Sequence, residues 1–365
     1  MIQPVDRNLM PAIQDKLDNL NKPKGSLGRL ETLAMQVALI QHSLHPRLTR
    51  PCHLLFGGDH GIEREGVSAS PREVTRQQMR NYCLGGGGVN VLCRQHGFQL
   101  RVVDVGVDYI GDSADYIGDS ADDIGDSADD IRFVSRKIGF GTRNFRYEAA
   151  MSRQEWAQAL QVGAEQVDAC RAEGCNVIGI GEMGVGNTSP SSILMHLFTA
   201  IPLVKCVGAG SGLGDAGIRH KLSVLEDSLA RFEALKRDHA GDYTGVTDTI
   251  RHFAGFEMAA AIGAMLHAAE EKMIVLVDGF IMTACMLAAS QMDAAVKDYA
   301  VFGHQGDEGG HKLMLDAMGA EPLLHLDMRL GEGTGALCAY PIVVSAVKMF
   351  NEMDNFSHAN ITKYF

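Results

Sequence analysis

At 365 residues, with 46% hydrophobic and 21% charged content, the chain has the composition of a globular protein long enough for one large domain or two unequal ones. A formal net charge of −12 argues against a nucleic-acid binder, which needs basic surface to neutralise phosphates. The eight cysteines form no C-x-x-C pair and sit mostly in apolar runs such as "NVLCRQ" and "MTACMLAA". That points to buried free thiols in a reducing cytoplasm, and to neither a disulfide framework nor a zinc site.

The first residues, "MIQPVDRNLMPAIQDK", are too polar for a signal peptide. Residues 1 to about 45 read as helical, interrupted at "NKPKGSLGRLE" by Pro23, Gly25 and Gly28. Seven short apolar runs then recur, each ending in glycine or a polar cluster: "CHLLFGG", "LRVVDVGV", "NVIGIGE", "LVKCVGAG", "MIVLVDG", "YAVFGHQG" and "LLHLDMRLGEG". Helical patterns separate most of them, namely "PREVTRQQMRNYC", "SRQEWAQALQVGAEQV", "PSSILMHLFTA" and "FEMAAAIGAMLHAAEE". Strands without polar alternation, spaced by helices, predict an α/β fold with a parallel sheet covered on both faces. Ligands of such sheets bind beyond the carboxyl ends of the strands, so functional residues belong just after each apolar run. The longest apolar stretch, "MIVLVDGFIMTACMLAAS", holds Asp278 and Gly279 and reads as strand, turn and helix, not as a membrane span.

Residues 108–131 break the pattern with a seven-residue unit, "DYIGDSADYIGDSADDIGDSADDI". It carries nine aspartates and no basic residue, leaving only −3 for the rest of the chain. Its spacing fits neither an EF-hand nor a nonapeptide calcium repeat, and a glycine in every unit opposes a coiled coil. The reading is a solvated tandem expansion of a surface loop.

Two glycine loops carry chemistry. In "VIGIGEMGVGNTSPSSILMHLF" a strand passes through glycines into a helix, with Thr188 or Ser189 as N-cap and Pro190 at the first helical position. Amides of Gly184 and Gly186 beside a helix N-terminus make an anion site. "VGAGSGLGDAGIRHK" offers a second loop, followed by Lys221, and the pair favours a phosphate-bearing ligand. Neither loop has a G-K-[ST] motif, and no strand-ending acid completes a dinucleotide fingerprint. Asp59, His60 and Glu63, together with His304, Asp307, Glu308 and His311, leave open a metal-dependent hydrolase, although no recognised ligand spacing is present. A non-catalytic nucleotide-binding protein would keep the loops without needing Glu332, the single carboxylate in "LGEGTGA".

The conjunction of "NKPKGSLGRLE", "GGDHGI…EGVSASPREVT", "IGEMGVGNTSPSS", "VGAGSGL", "VDGF" and "LDMRLGEGTGA" resembles the nicotinate-nucleotide–dimethylbenzimidazole phosphoribosyltransferase family over nearly the whole chain. The resemblance implies a homodimeric enzyme with a Rossmann-like parallel sheet. A smaller helical domain would come from both chain ends (1–45 with 335–365), beside a large α/β domain (46–334). The implied reaction moves phosphoribose from nicotinate mononucleotide to 5,6-dimethylbenzimidazole, giving nicotinate and α-ribazole 5′-phosphate, with no metal or cofactor and no nucleic-acid or membrane partner. It places the catalytic base at Glu332, the benzimidazole pocket at Ser70 and Gln78, and the nucleotide near Glu182, Gly184, Gly186, Asn187, Gly210, Lys221 and Gly331. The flanking glycines are expected to leave space for a flat bicyclic ring beside the carboxylate. Where relatives often carry serines, "GHQGDE" has Gly303 and Gly306, so a hydroxyl contact there is lost or replaced by water or by Asp307.

Overall fold

Six strands build one sheet in the order β3-β2-β1-β4-β5-β6, with every neighbouring pair parallel. They are β1 (Cys52–Gly58), β2 (Gln99–Gly106), β3 (Ile131–Ser135), β4 (Val177–Met183), β5 (Ile274–Val277) and β6 (Ala300–Phe302). The computed structural model describes residues 2–110, 131–238, 241 and 243–363. Most of the acidic repeat, residues 111–130, and with it the surface-insertion reading, lies outside the described residues.

β1 and β5 are buried at every position, as their unbroken apolar runs require of strands covered on both faces. The chain order reverses between β1 and β4, which opens a crevice at their carboxyl ends. One face packs on the helices Arg153–Ala172 and Phe256–Glu270, the other on the helix Thr334–Glu352. Side chains alternate between faces along a strand. On β1, Cys52 meets Cys170 of the first helical layer, while its neighbour His53 reaches Glu332 just before Thr334–Glu352. The end helices Met10–Asn19 and Arg29–Ile40 join the carboxyl-terminal segment, where Asn21 N–H donates to Asp354 O at 2.7 Å. The interruption between these two helices falls on the Pro23–Gly28 stretch, as the sequence predicts.

Two apolar runs are not the strands expected of them. "LVKC" is a short helix, Leu203–Cys206, because burial falls at Leu203 and Cys206 with Val204 exposed, one helical turn apart. In "LLHLDMRLGEG" only Leu324–His325 (β8) is extended, pairing with His304–Gln305 (β7), and Leu326 and Leu330 are exposed. The second glycine loop thus follows a helix. β3 and the 24-residue helix Asp215–Asp238 have no counterpart among the expected elements.

The helices Arg153–Ala172 and Phe256–Glu270 lie nearly backbone to backbone. A Cβ on Gly163 would stand 2.6 Å from Ala264 N and collide with Ala260 O, and one on Gly263 would stand 2.7 Å from Leu160 Cα. Two helical glycines cost propensity and are tolerated because they permit this approach. Gly163→Ala is therefore expected to destabilise the fold by ~1–3 kcal/mol, as overpacking does, despite alanine's better helix propensity. Urea denaturation measures it, and an unchanged or higher midpoint would show that the helices can separate freely.

Candidate active site

Beyond the carboxyl ends of β1, β4, β5 and β6 a cavity is lined by Ser70, Glu182, Gly184, Thr188, Gly210 and Glu332, among others. Glu332 stands in a turn of three successive left-handed residues, with φ of 85° at Gly331, 63° at Glu332 and 84° at Gly333. An L-residue there costs ~1–2 kcal/mol, so its surroundings must hold it. Its carbonyl accepts from His53 Nε2 at 2.9 Å, which fixes the proton of that ring on Nε2. Its carboxylate accepts from Val89 N–H at 2.9 Å, at the start of the helix Gly88–His96. A neutral bond is worth ~0.5–1.5 kcal/mol and one to a charged group ~1.5–3 kcal/mol, enough together to outweigh the strain.

The glycines of this turn serve the protein's own packing, contrary to the expectation of room for a ligand ring. A Cβ on Gly331 would come within 2.6 Å of Glu182 Oε1, and those on Gly333 and Gly335 would overlap the rings of His53 and His304. β4 contributes the complementary gaps. A Cβ on Gly179 would sit 2.5 Å from His53 Nδ1, and one on Gly181 would overlap the Glu332 carbonyl. In "VIGIGE" the two glycines are two residues apart, on one face of the strand, so they form a trough that admits the turn.

Four buried carboxylates come together here from distant segments. Burial raises the Glu332 carboxyl above its ordinary value, opposed by the Val89 amide and the Tyr82 hydroxyl and assisted by the nearby Asp278 charge. Glu182 is pushed up to about 8, first by burial and then by Glu257, against a hydrogen bond from the Asn187 side-chain amide. Asp278 is raised by burial, against His304 and the amides of Gly279, Ala336 and Gly335, and it accepts from Ala336 N–H at 3.0 Å. Glu257 is fully buried and meets His60 Nε2 at 2.6 Å.

Of the expected site residues, Ser70, Glu182, Gly184, Gly186, Asn187, Gly210, Gly331 and Glu332 all line the cavity. Gln78 is not among the lining residues; it faces Asn81, whose Nδ2 donates to it at 3.3 Å. Lys221 lies fully buried behind the wall and donates to Thr188 Oγ1 at 2.7 Å. Burial lowers its ammonium to about 8, against the Glu308 charge. Ser70 is not a helix N-cap, since the next helix starts at Glu73 with Arg72 as its cap. The helix at the first glycine loop starts at Thr188 with Asn187 as N-cap, so Pro190 is its third residue. A serine at 303 would be crowded, its Cβ 2.7 Å from Ala336 Cα.

The residues that suggested a metal are engaged elsewhere. Asp59 accepts from Asp108 N–H at 2.7 Å, His60 faces Glu257, and His311 lies between Gly306 N–H and Thr283. Among the described residues no group of three or more His, Cys, Asp or Glu side chains is placed to hold a metal ion. Sequence reasoning missed His53, Glu257 and Asp278 as site residues. Asp278 after "MIVLV" was the legible signal, since it follows a strand directly.

A profile of the Phosphoribosyltransferase family matches residues 2–361. A Bacteroides fragilis protein named nicotinate-nucleotide–dimethylbenzimidazole phosphoribosyltransferase is 56% identical over 99% of this chain and 97% of that one. The protein of the same name from Parabacteroides distasonis is 52% identical over 100% and 99%. The crystal structure of CobT from Thermus thermophilus superposes with a TM-score of 0.87 at 32% identity, covering 98% of this chain and 99% of that one.

The raised Glu182 carboxyl makes a prediction about pH. Its folded value, about 8, lies above the ordinary 4.5, so its proton stabilises the fold fully below pH 4.5, and this contribution is lost as pH rises through 8. Glu182→Gln keeps the neutral form at every pH. Thermal melts from pH 5 to 9 should show the variant gaining on the parent as pH rises, and parallel curves would contradict a protonated Glu182.

Proposed function

The chain belongs to the nicotinate-nucleotide–dimethylbenzimidazole phosphoribosyltransferase family, and we propose that the cavity above β1 and β4 is where it transfers phosphoribose from nicotinate mononucleotide to a benzimidazole base. The observation that carries the assignment is Glu332, buried yet lining the cavity, with its carboxyl raised and its backbone clamped.

One ring nitrogen of the base attacks the ribose C1′ with its lone pair while the bond from C1′ to nicotinate breaks, the electron pair leaving with the pyridine nitrogen. The second ring nitrogen must lose its proton, or the product stays cationic. Glu332 takes that proton as general base, and burial makes its carboxylate a stronger base than an ordinary glutamate. Glu182, near the end of β4, is in its neutral form below about pH 8 and adds no second charge to repel the nucleotide phosphate. Thr188 and the amides of the Gly184–Gly186 loop meet the phosphate at the start of the helix Thr188–Thr199. Lys221 acts from behind Thr188, orienting its hydroxyl and adding positive potential. Ser70 contacts the base, as does Gln78 if the base extends beyond the described cavity lining.

The division of the chain into a small unit from residues 1–45 and 335–365 and a large one from 46–334 is part of the same reading, with one apolar core running through both. Eight free thiols support a reducing, cytoplasmic setting. Among the described residues no helix is long and apolar enough to cross a membrane. A homodimer is part of the same reading, and sedimentation at a monomer mass would remove it.

Glu332→Gln is expected to lower turnover by roughly 10²–10⁴-fold, the usual loss for a general base, with substrate affinity little changed. Mass spectrometry of products formed from nicotinate mononucleotide and 5,6-dimethylbenzimidazole measures both points. Near-normal turnover in a folded variant would take Glu332 out of the reaction, and absence of α-ribazole 5′-phosphate from the parent would reject the activity.

A further inference from the structure

A histidine in the second position of an otherwise apolar, fully buried strand has an obvious simple reading as a core residue that found one hydrogen-bond partner. In this fold the partner is the backbone of Glu332, 279 positions away, and three further observations concern the same few atoms. First, Glu332 is a non-glycine residue with φ of 63° between two glycines that are also left-handed, a conformation it would leave if nothing held it. Second, the imidazole has a made-to-measure place: β4 aligns Gly179 with His53, and side chains at Gly179 or Gly333 would strike the ring. Third, Gly181, two residues along the same face, clears the space into which the Glu332 carbonyl points.

We propose that His53 is a positioning residue for the phosphoribosyl transfer, its Nε2–H anchoring the carbonyl of Glu332 to the sheet and thereby aiming the carboxylate into the cavity. The carbonyl and the carboxylate of Glu332 leave the same Cα in different directions. Pinning the first to β1 while Val89 N–H donates to the second determines both ends of the residue. Burial keeps the ring neutral, lowering its pKa to about 4 against the bond to Glu332, so the clamp carries no charge at working pH. His53 is not among the cavity-lining residues, so its Nε2 proton stays hydrogen-bonded to the Glu332 carbonyl and does not meet substrate. Its contribution is the geometry of another residue, and a misplacement of about 1 Å at a reacting group can cost ~10²-fold in rate.

The inference rests on Glu332 being the base, and the test separates the two. The full-length enzyme is prepared as His53→Phe, which keeps a flat ring without the donor, as His53→Gln, whose amide can replace Nε2–H, as Glu332→Gln, and as His53→Phe with Glu332→Gln. Melting temperature and circular dichroism establish the fold of each. The expected result is a fall in kcat of ~10–10²-fold for His53→Phe with KM for both substrates within about threefold, largely restored in His53→Gln. In the Glu332→Gln background the Phe substitution should add little, because its effect passes through a carboxylate that is no longer there. Full kcat in a folded His53→Phe overturns the proposal, and so does an equal loss from it with or without Glu332, which marks a purely structural role. If His53→Phe does not fold, the decision passes to His53→Gln: an active, folded Gln variant supports the donor's role, and a folded but slow one overturns it. Near-normal turnover in Glu332→Gln alone removes the base assignment, whatever the His53 variants do.

Discussion

A turn carrying an ionisable side chain has to lie flat against the middle of a parallel sheet, and most of the site's geometry follows from that constraint. The sheet surface normally bristles with branched side chains, which would hold any overlying backbone several ångströms away. β4 removes them with Gly179 and Gly181, the turn removes its own with Gly331 and Gly333, and His53 fills the remaining gap with a ring that also donates a hydrogen bond. The helix Thr334–Glu352 then begins directly over the strands, so the amide of Ala336 reaches Asp278 at the tip of β5.

The arrangement concentrates acids where water is scarce. Glu182, Glu257, Asp278 and Glu332 arrive from a strand end, a buried helix, a second strand end and the clamped turn, and all are less than a tenth exposed. Burial opposes charge on Glu182, Asp278 and Glu332, yet their hydrogen bonds differ. Glu332 has backbone and hydroxyl donors that favour the charged form, whereas burial and then the neighbouring Glu257 charge hold Glu182 protonated. Two carboxyls lining one cavity thus meet different partners: hydrogen-bond donors oppose the rise at Glu332, while burial and Glu257 push Glu182 up to about 8. The buried Lys221, bonded to Thr188 in the cavity wall, supplies a positive counterpart.

What could be read from the sequence was whatever short stretches encode. Unbroken apolar runs gave the parallel sheet and its covering helices, and the glycine loop after one of them gave Gly184 and Gly186, whereas Glu182 and Asn187 came from the family resemblance. The helix from Arg153 was legible as the helical pattern "SRQEWAQALQVGAEQV", and the structure adds a capping box of Ser152 and Glu155 at its start. The run "LVKC" misled because four residues cannot display a period, and only the burial of Leu203 and Cys206 reveals the helix. Lys221 follows its glycine loop in sequence, but its place behind the cavity wall depends on how the helix Asp215–Asp238 packs, which no local pattern records.

The sequence by itself therefore determined the class of fold, the edge of the sheet where the site lies and the lone carboxylate at Glu332, because hydrophobic period and glycine spacing act over a few residues. The tertiary structure alone decided that His53 stands under Glu332, that Gly179 and Gly181 form its trough, and that burial and Glu257 raise Glu182. Those relations cross from strand to strand and layer to layer, so they depend on strand order and register, which in a parallel sheet are settled only when segments hundreds of residues apart have packed together.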